Sequence, residues 1–481
     1  MRILSLLGTL ALLLQLSAVN GRAFSLIGPF SGWQTPDIGY DLNIVAGNEP
    51  GGPRLRGDEY RLSTPVMTYG VDGSFFEYFG APGMQALDSA FAVFNNLTNV
   101  SDFSENLAEF PLKADGVNPL ARTLGLLDLK TMVMSYILSG MGLTAPDHWT
   151  WSIRARYVDA GGTPHYSVAN FNYDPITGLP SRYVNGTMYS YVIREVYDGN
   201  NAVAGYDARE VPIDSSAPTI ALASLVHEAD SPMDSRLLRA KSRFGRYFTG
   251  LTRDDAGGLR YLYRPQNFNY EAAPAGSVRG TGVTTIGGSS GSLDSPWTIA
   301  SPGAIGTNAV QNGTTGGRAL VNLGVRAGVD KVQFIRVDMD PILRVSPLPL
   351  VVSYPELVVS NGIVVSQIVA RTLTRPDIQF SAVDLGVALF TPVAYSQTQY
   401  VYNNTGSTVI AGAEGPGNIE PTFGMQFSKV GVHNLNDGNS DEQDGTRGFL
   451  WSTFDGSTNA PVIFPVGTTL QDLEDAYNAL P

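Results

Sequence analysis

Reactive side chains are few in this chain, and they are scattered. It has four histidines, His148, His165, His227 and His433, and no cysteine. A zinc centre needs several N, O or S ligands converging on one point, commonly two of them one helical turn apart. No two of these histidines share a turn. His227-Glu228 opens the pattern His-Glu-x-x-His, in which two histidines hold zinc and the glutamate is general base, but Ser231 stands where the second histidine belongs. A surface or hydrogen-bonded histidine is the simpler reading of His148.

The carboxylates carry two patterns. Asp254 and Asp255 could form an acid–base pair. Thr252 precedes them, however, and a capping box is the better reading: first-turn carboxylates meet the free N–H groups and the positive end of a helix. In the acidic loop 436–445, Asp437, Asn439 and Asp441 have the alternate spacing of calcium-binding loops. Glu442 occupies the sixth place, where such a loop needs glycine for its sharp turn, so a solvated acidic turn is expected. Gly288-Ser289-Ser290-Gly291-Ser292 lies in low-complexity sequence and is no strand–turn–helix nucleophile site. No Gly-Lys-Ser/Thr follows it, which argues against a phosphate loop.

The element best able to position a site is an apolar stretch, 126–143. Leu126, Leu129, Val133, Tyr136, Ile137 and Gly140 recur at three- and four-residue steps and share one helical face. Met132 and Leu138 widen that face, so the helix should be buried on most sides. Gly140, Gly142 and Pro146 end it.

This stretch resembles the zinc helix of the metzincins, H-E-x-x-H-x-x-G-x-x-H. Laying Gly142-Leu143 on the family's Gly-Leu puts Ser135, Tyr136, Ser139 and Ala145 at the four reactive positions. Serine is a poor zinc ligand, alanine is none, and tyrosine is a weak base. Leu251-Thr252-Arg253-Asp254-Asp255 through Tyr263 is similar to the closing helix of the matrixin branch. Val66-Met67-Thr68-Tyr69-Gly70 and Ala86 to Asn95 are similar to its opening strand and first helix. Ser231-Pro232-Met233 could stand at the methionine turn. The chain departs from the family in a long insertion, 147–230. The resemblance implies a degenerate, zinc-less lobe keeping a cleft lined by Ser135, Tyr136, Ser139 and Gly142.

The expected fold class is α+β: a metzincin-like N-terminal lobe with an inserted antiparallel sheet, followed by a β-sandwich-like C-terminal module. Residues 1–23 read as a signal peptide, with Arg2, an apolar run from Ile3 to Leu16 and small residues after it. Residues 24–60 read as an extended arm and 61–270 as the lobe. Within the lobe, Gly80 ends a short aromatic helix and Pro82 suits the first turn of the next. The insertion alternates from Trp149 to Tyr157, with turns at Asn185-Gly186 and Asp198-Gly199. Residues 271–318 read as a Gly/Ser-rich linker or loop. Residues 319–481 read as a β-rich domain, with a hairpin at Asn361-Gly362 and a final helix, 470–480.

Without cysteine there is no disulfide and no lipid-anchored N-terminal cysteine, and a bacterial origin is favoured. The Asn-x-Ser/Thr sites at Asn96, Asn99, Asn185, Asn312 and Asn403 then carry little meaning. The net charge is -13. Loss of residues 1–23 removes Arg2 and Arg22 and no acid, leaving 44 acids against 29 bases, near -15. Such a surface disfavours nucleic acid and anionic lipid as partners.

The expectation is a secreted or periplasmic, non-catalytic binding or structural protein with an unknown extracellular partner, no cofactor and no membrane anchor. One alternative is a divergent metalloprotease using His148 or His227, or another hydrolase. The other is a surface or matrix component. Mass spectrometry of the exported protein should find an N-terminus between Val19 and Phe24; intact Met1 recovered from the cytoplasm counts against secretion.

Overall fold

The computed structural model describes residues 23–28, 30–35, 52–213, 219–225, 243–272, 277–279, 319–320, 323–337, 349–360, 363–383, 389–392, 395–396, 417–419, 423–428 and 450–478. The fold is α+β, mostly strands with few helices, in several sheets.

The strand Val66–Val71 is an interior strand of a five-stranded sheet. It pairs in parallel with Gln333–Arg336 on one side and Ile378–Val383 on the other. Phe423–Ser428 continues the sheet in parallel, and Leu389–Pro392 closes it as an antiparallel edge. Met67, Thr68, Tyr69 and Val71 are all buried, as a parallel strand covered on both faces requires.

A long helix, Gly73–Asn95, follows at once. The Asp72 carboxylate caps it by accepting the Phe75 N–H at 3.0 Å. The helix is kinked where the sequence places its break: Gly80 has φ +55° and Pro82 starts the second segment. Its apolar face lies on the sheet. Phe91 stacks on Tyr69 with centroids 3.7 Å apart and meets Phe334 and Phe380 edge-on or tilted. Each such buried phenylalanine contributes about 1.5–3 kcal/mol.

The central helix runs Leu129–Gly140, shorter than the periodicity predicts. Leu126–Asp128 form a strand instead, paired in parallel with Leu450–Thr453. Asp128 then caps the helix through the Thr131 N–H at 2.9 Å. Every helix residue except Lys130 is buried.

Two further expectations are corrected. Phe24–Gly28 is a buried strand and not an arm; it pairs with Asn172–Tyr173, Leu143–Thr144 and Gly52–Pro53. Its apolar side chains hide in the Gly- and Pro-rich surroundings that led to the other reading. The 271–318 stretch does not separate two cores. Its described residues belong to strands: Asn269–Ala272 pairs with Leu323–Arg326, and Ser277–Arg279 with Ile363–Leu373. Residues 280–318 lie outside the described residues.

The strands of 319–481 therefore divide among sheets shared with the first half and do not stand apart as a sandwich. Gly417–Ile419 pairs with Tyr60–Leu62, and one hydrophobic core joins Phe334, Phe380, Trp451 and Phe464 to Phe75, Phe79 and Phe91. The long hairpin Leu350–Ser360 and Ile363–Leu373 has Ser360 opposite Ile363, the register a two-residue turn demands, although Asn361 and Gly362 lie outside the described residues. The insertion is antiparallel, but in place of the single inserted sheet expected its hairpins Ser152–Val158/Pro164–Ala169 and Thr187–Tyr197/Val203–Pro212 lie in two separate sheets. The last helix is Leu470–Asn478.

Trp451 is fully buried and meets Phe79 at 6.4 Å. Trp451→Ala should cost about 3–5 kcal/mol, and calorimetry should show both halves unfolding in one transition. Two transitions, with only one shifted by the substitution, would refute the shared core.

Candidate functional site

The closing helix, Arg253–Tyr263, organises the region around the central helix. Thr252 and Asp255 form its capping box. The Asp255 carboxylate accepts the Thr252 N–H at 2.9 Å and the Thr252 hydroxyl at 2.5 Å. It also accepts the N–H groups of Leu222 and Ala223, both at 3.0 Å. Burial pushes its pKa above the ordinary aspartate value. Asp254 faces the insertion. Its carboxylate accepts the Asn185 N–H at 2.6 Å, and its own N–H donates to the Asn185 side chain at 3.1 Å. The two carboxylates are thus structural, as their position after Thr252 implies. Asn185 sits in the expected turn with φ +44° and Gly186 with φ +88°.

The effect is to fix a single 3-10 turn, Leu222–Leu225, over the central helix. The Leu222 carbonyl accepts the Ser135 hydroxyl at 2.8 Å, and the Ser224 hydroxyl bonds the Asp147 carboxylate. At the helix's other end, the Tyr263 hydroxyl donates to the Met141 carbonyl at 2.7 Å. Gly142 there has φ +103°, and a Cβ would stand 2.1 Å from the Tyr60 carbonyl oxygen. Only glycine fits.

Ser135 and Ser139 lie one helical turn apart, with Tyr136 beside Ser135, but they line no cleft. Ser135 is 0 % exposed, Ser139 1 %, Tyr136 5 % and Ala145 1 %, and Gly142 is buried too. The expected cleft is filled because a hydroxyl on a buried face needs a partner, and the Leu222 carbonyl supplies it. A serine committed to a carbonyl has no base to take its proton. Burial raises the Tyr136 pKa to about 12, so the phenol stays neutral and is no general base.

The two described histidines, His148 and His165, have separate partners. His148 Nδ1 lies 3.8 Å from the Glu210 carboxylate and packs against Trp149. His165 bonds Asp159 at 2.9 Å on a hairpin and stacks on Tyr157. His227, His433, Asp437, Asn439 and Asp441 lie outside the described residues, as does the serine-rich run at 288–292. Among the described residues, no three of His, Cys, Asp and Glu could hold a metal ion. No helix among them is long and apolar enough to cross a membrane.

Sequence reasoning missed a buried ionic seam. Arg61 bonds Glu271 at 2.7 Å, Arg326 pairs with Glu356, and Arg371 grips Asp377 at 2.5 and 2.7 Å. All six are buried. Burial pulls the Arg326 pKa down to about 10. A signal existed: in Ile363–Leu373, Gln367 and Arg371 fall in alternation with the buried Val369 and Leu373, so polar groups interrupt the inward face of a strand. Compared with known protein families, curated proteins and solved structures, the chain matches none.

Asp128 gives this region a pH dependence. Its carboxylate accepts the Thr131 N–H and, at 3.3 Å, the Phe454 N–H. Burial outweighs those bonds and raises its pKa from 3.8 to about 6. The folded state therefore holds this proton more tightly than the unfolded chain. The resulting stabilisation is present at acid pH and is lost as pH rises through 3.8 towards about 6. It amounts to roughly 3 kcal/mol. In urea titrations, the stability of the wild type relative to Asp128→Asn should fall by that amount between pH 3 and 7. A difference constant over that range would contradict the assignment.

Proposed function

We propose that this chain is a secreted, non-catalytic binding protein built on a metzincin-like lobe that has lost its zinc. The observation that carries this reading is the state of the central helix. Where the family's pattern has ligands and base, this chain has Ser135, Tyr136, Ser139 and Ala145, all buried, and the Ser135 hydroxyl is spent on the Leu222 carbonyl. The succession of the strand Val66–Val71, the helix Gly73–Asn95, the central helix and the closing helix follows the family's order and supports the ancestry. Gly142 turning the chain away from the central helix supports it too. The apolar run after Arg2 supports export. With the former centre closed, binding falls to the outer surfaces of the molecule.

The test is metal analysis of protein purified without chelator, with casein hydrolysis measured alongside. The expected result is no stoichiometric zinc, no cleavage, and a melting curve unchanged by chelator, since no metal contributes to folding. One tightly held zinc per chain, or chelator-sensitive proteolysis, would overturn the proposal and favour the divergent metalloprotease.

A further inference from the structure

The C-terminal end of the closing helix borders a cavity of about 380 Å³. Three arginines line it, Arg56, Arg260 and Arg264, with Tyr261 and Gln266 among them. In a chain of net charge -13 this gathering of cations is unexpected. The arginines converge on one ring: the guanidinium of Arg56 lies 5.0 Å from the Tyr261 centroid and that of Arg264 lies 5.5 Å from it. Neither forms a salt bridge with a carboxylate among the described residues.

Two acids stand nearby, and neither is paired with Arg56 or Arg264 among the described residues. Asp174 lines the same cavity, but its Oδ1 is occupied by the N–H groups of Ile176 and Thr177 at 2.9 and 2.7 Å and by the Thr177 hydroxyl. Glu59, which bonds the Tyr261 hydroxyl, is fully buried, and burial raises its pKa. Two guanidinium groups on one ring repel each other, and stacking on its face offsets only part of that.

The walls are fixed in advance. Arg260 donates to the Ser104 and Glu105 carbonyls at 2.6 and 3.1 Å and to the Pro175 carbonyl at 3.1 Å, tying two loops together. Arg56 donates to the Gly178 carbonyl. Gly178 has φ +67°, and a Cβ there would lie 2.2 Å from Arg56 Nη1. The glycine thus leaves room for the guanidinium. The Arg264 backbone N–H bonds the Arg260 carbonyl, whereas its guanidinium donates to no acceptor among the described residues, and that fork matches a carboxylate or phosphate geometrically.

We propose that this cavity binds a small multivalent organic anion, a polycarboxylate or phosphate ester, between the guanidinium groups of Arg56 and Arg264, with the Gln266 amide as a further polar contact. The site is separate from the former zinc position, and its occupancy does not depend on whether the chain is catalytic.

Isothermal titration calorimetry on the full chain at low ionic strength tests it, with citrate, inorganic phosphate and glucose 6-phosphate as probes. Saturable binding of citrate or the phosphate ester is expected, weakening as salt is added. Arg264→Ala and Arg56→Ala should each weaken it about tenfold or more. Arg264→Lys should recover only part of the loss, because it keeps the charge and loses the fork. Arg336→Ala, which removes an exposed arginine bonded to Asp88 outside the cavity, should bind as wild type does. Circular dichroism of each variant confirms that it is folded. Absence of saturable binding for every probe would overturn the proposal. So would affinity unchanged in folded Arg264→Ala and Arg56→Ala, or lost equally in Arg336→Ala.

Discussion

The region around the central helix depends on one buried carboxylate. Asp255 sits in the first turn of the closing helix, where free N–H groups and the helix dipole favour a negative charge. Taking a carboxylate out of water costs several kcal/mol unless donors replace the lost hydration. Here four donors do so: the N–H and hydroxyl of Thr252 and the N–H groups of Leu222 and Ala223. The first pair stabilises the helix locally. The second pair reaches a segment earlier in the chain, Leu222 standing 33 residues before Asp255. It aims the Leu222 carbonyl at Ser135. The geometry that caps one helix therefore also closes another.

A second set of charges does the same for the two halves of the chain. The Asp377 carboxylate accepts the N–H and hydroxyl of Thr68 in the strand Val66–Val71 at 2.8 and 3.0 Å, while Arg371 holds that carboxylate and the Val66 carbonyl. Arg61 reaches Glu271 and the carbonyls of Leu262, Asn267 and Arg326. Buried ion pairs of this kind add little net stability, but a partner left unmatched is costly. A strand shifted by one residue would strand these charges in the interior. The later strands thus dock on Val66–Val71 in one register, which is why the expected boundary fails to divide the molecule.

What was legible in the sequence was local. The break at Gly80 and Pro82, the Thr252 capping box, the Asn185-Gly186 turn and most of the central helix follow from backbone chemistry within a few residues. What was not legible was partnership. Alternation tells which face of Gln333–Arg336 is apolar, but not that the strand beside it is Val66–Val71. Leu126–Asp128 share the helix's apolar period and become a strand only because Leu450–Thr453 is there to pair. At the candidate site, the types and spacing of Ser135, Tyr136 and Ser139 were readable. Their closure was not, because it depends on a carbonyl at Leu222 that no motif marks.

The closing helix shows how one element can serve opposite ends of a surface. Its acids, Asp254 and Asp255, lie in the first turn and Arg260 in the last, with Arg264 at the C-cap. That distribution suits the helix dipole at both ends. The acids are short, and their donors are backbone groups of covering segments, so they draw chain inward and exclude water. The arginines are long, and their heads rest on a ring and on carbonyls at the rim of a cavity. A polarity that every helix possesses thus closes the molecule at the N-terminal end. At the other end it leaves the heads of Arg260 and Arg264 on the lining of a cavity, so one dipole is met by buried acids at its start and by arginines beside open space at its finish.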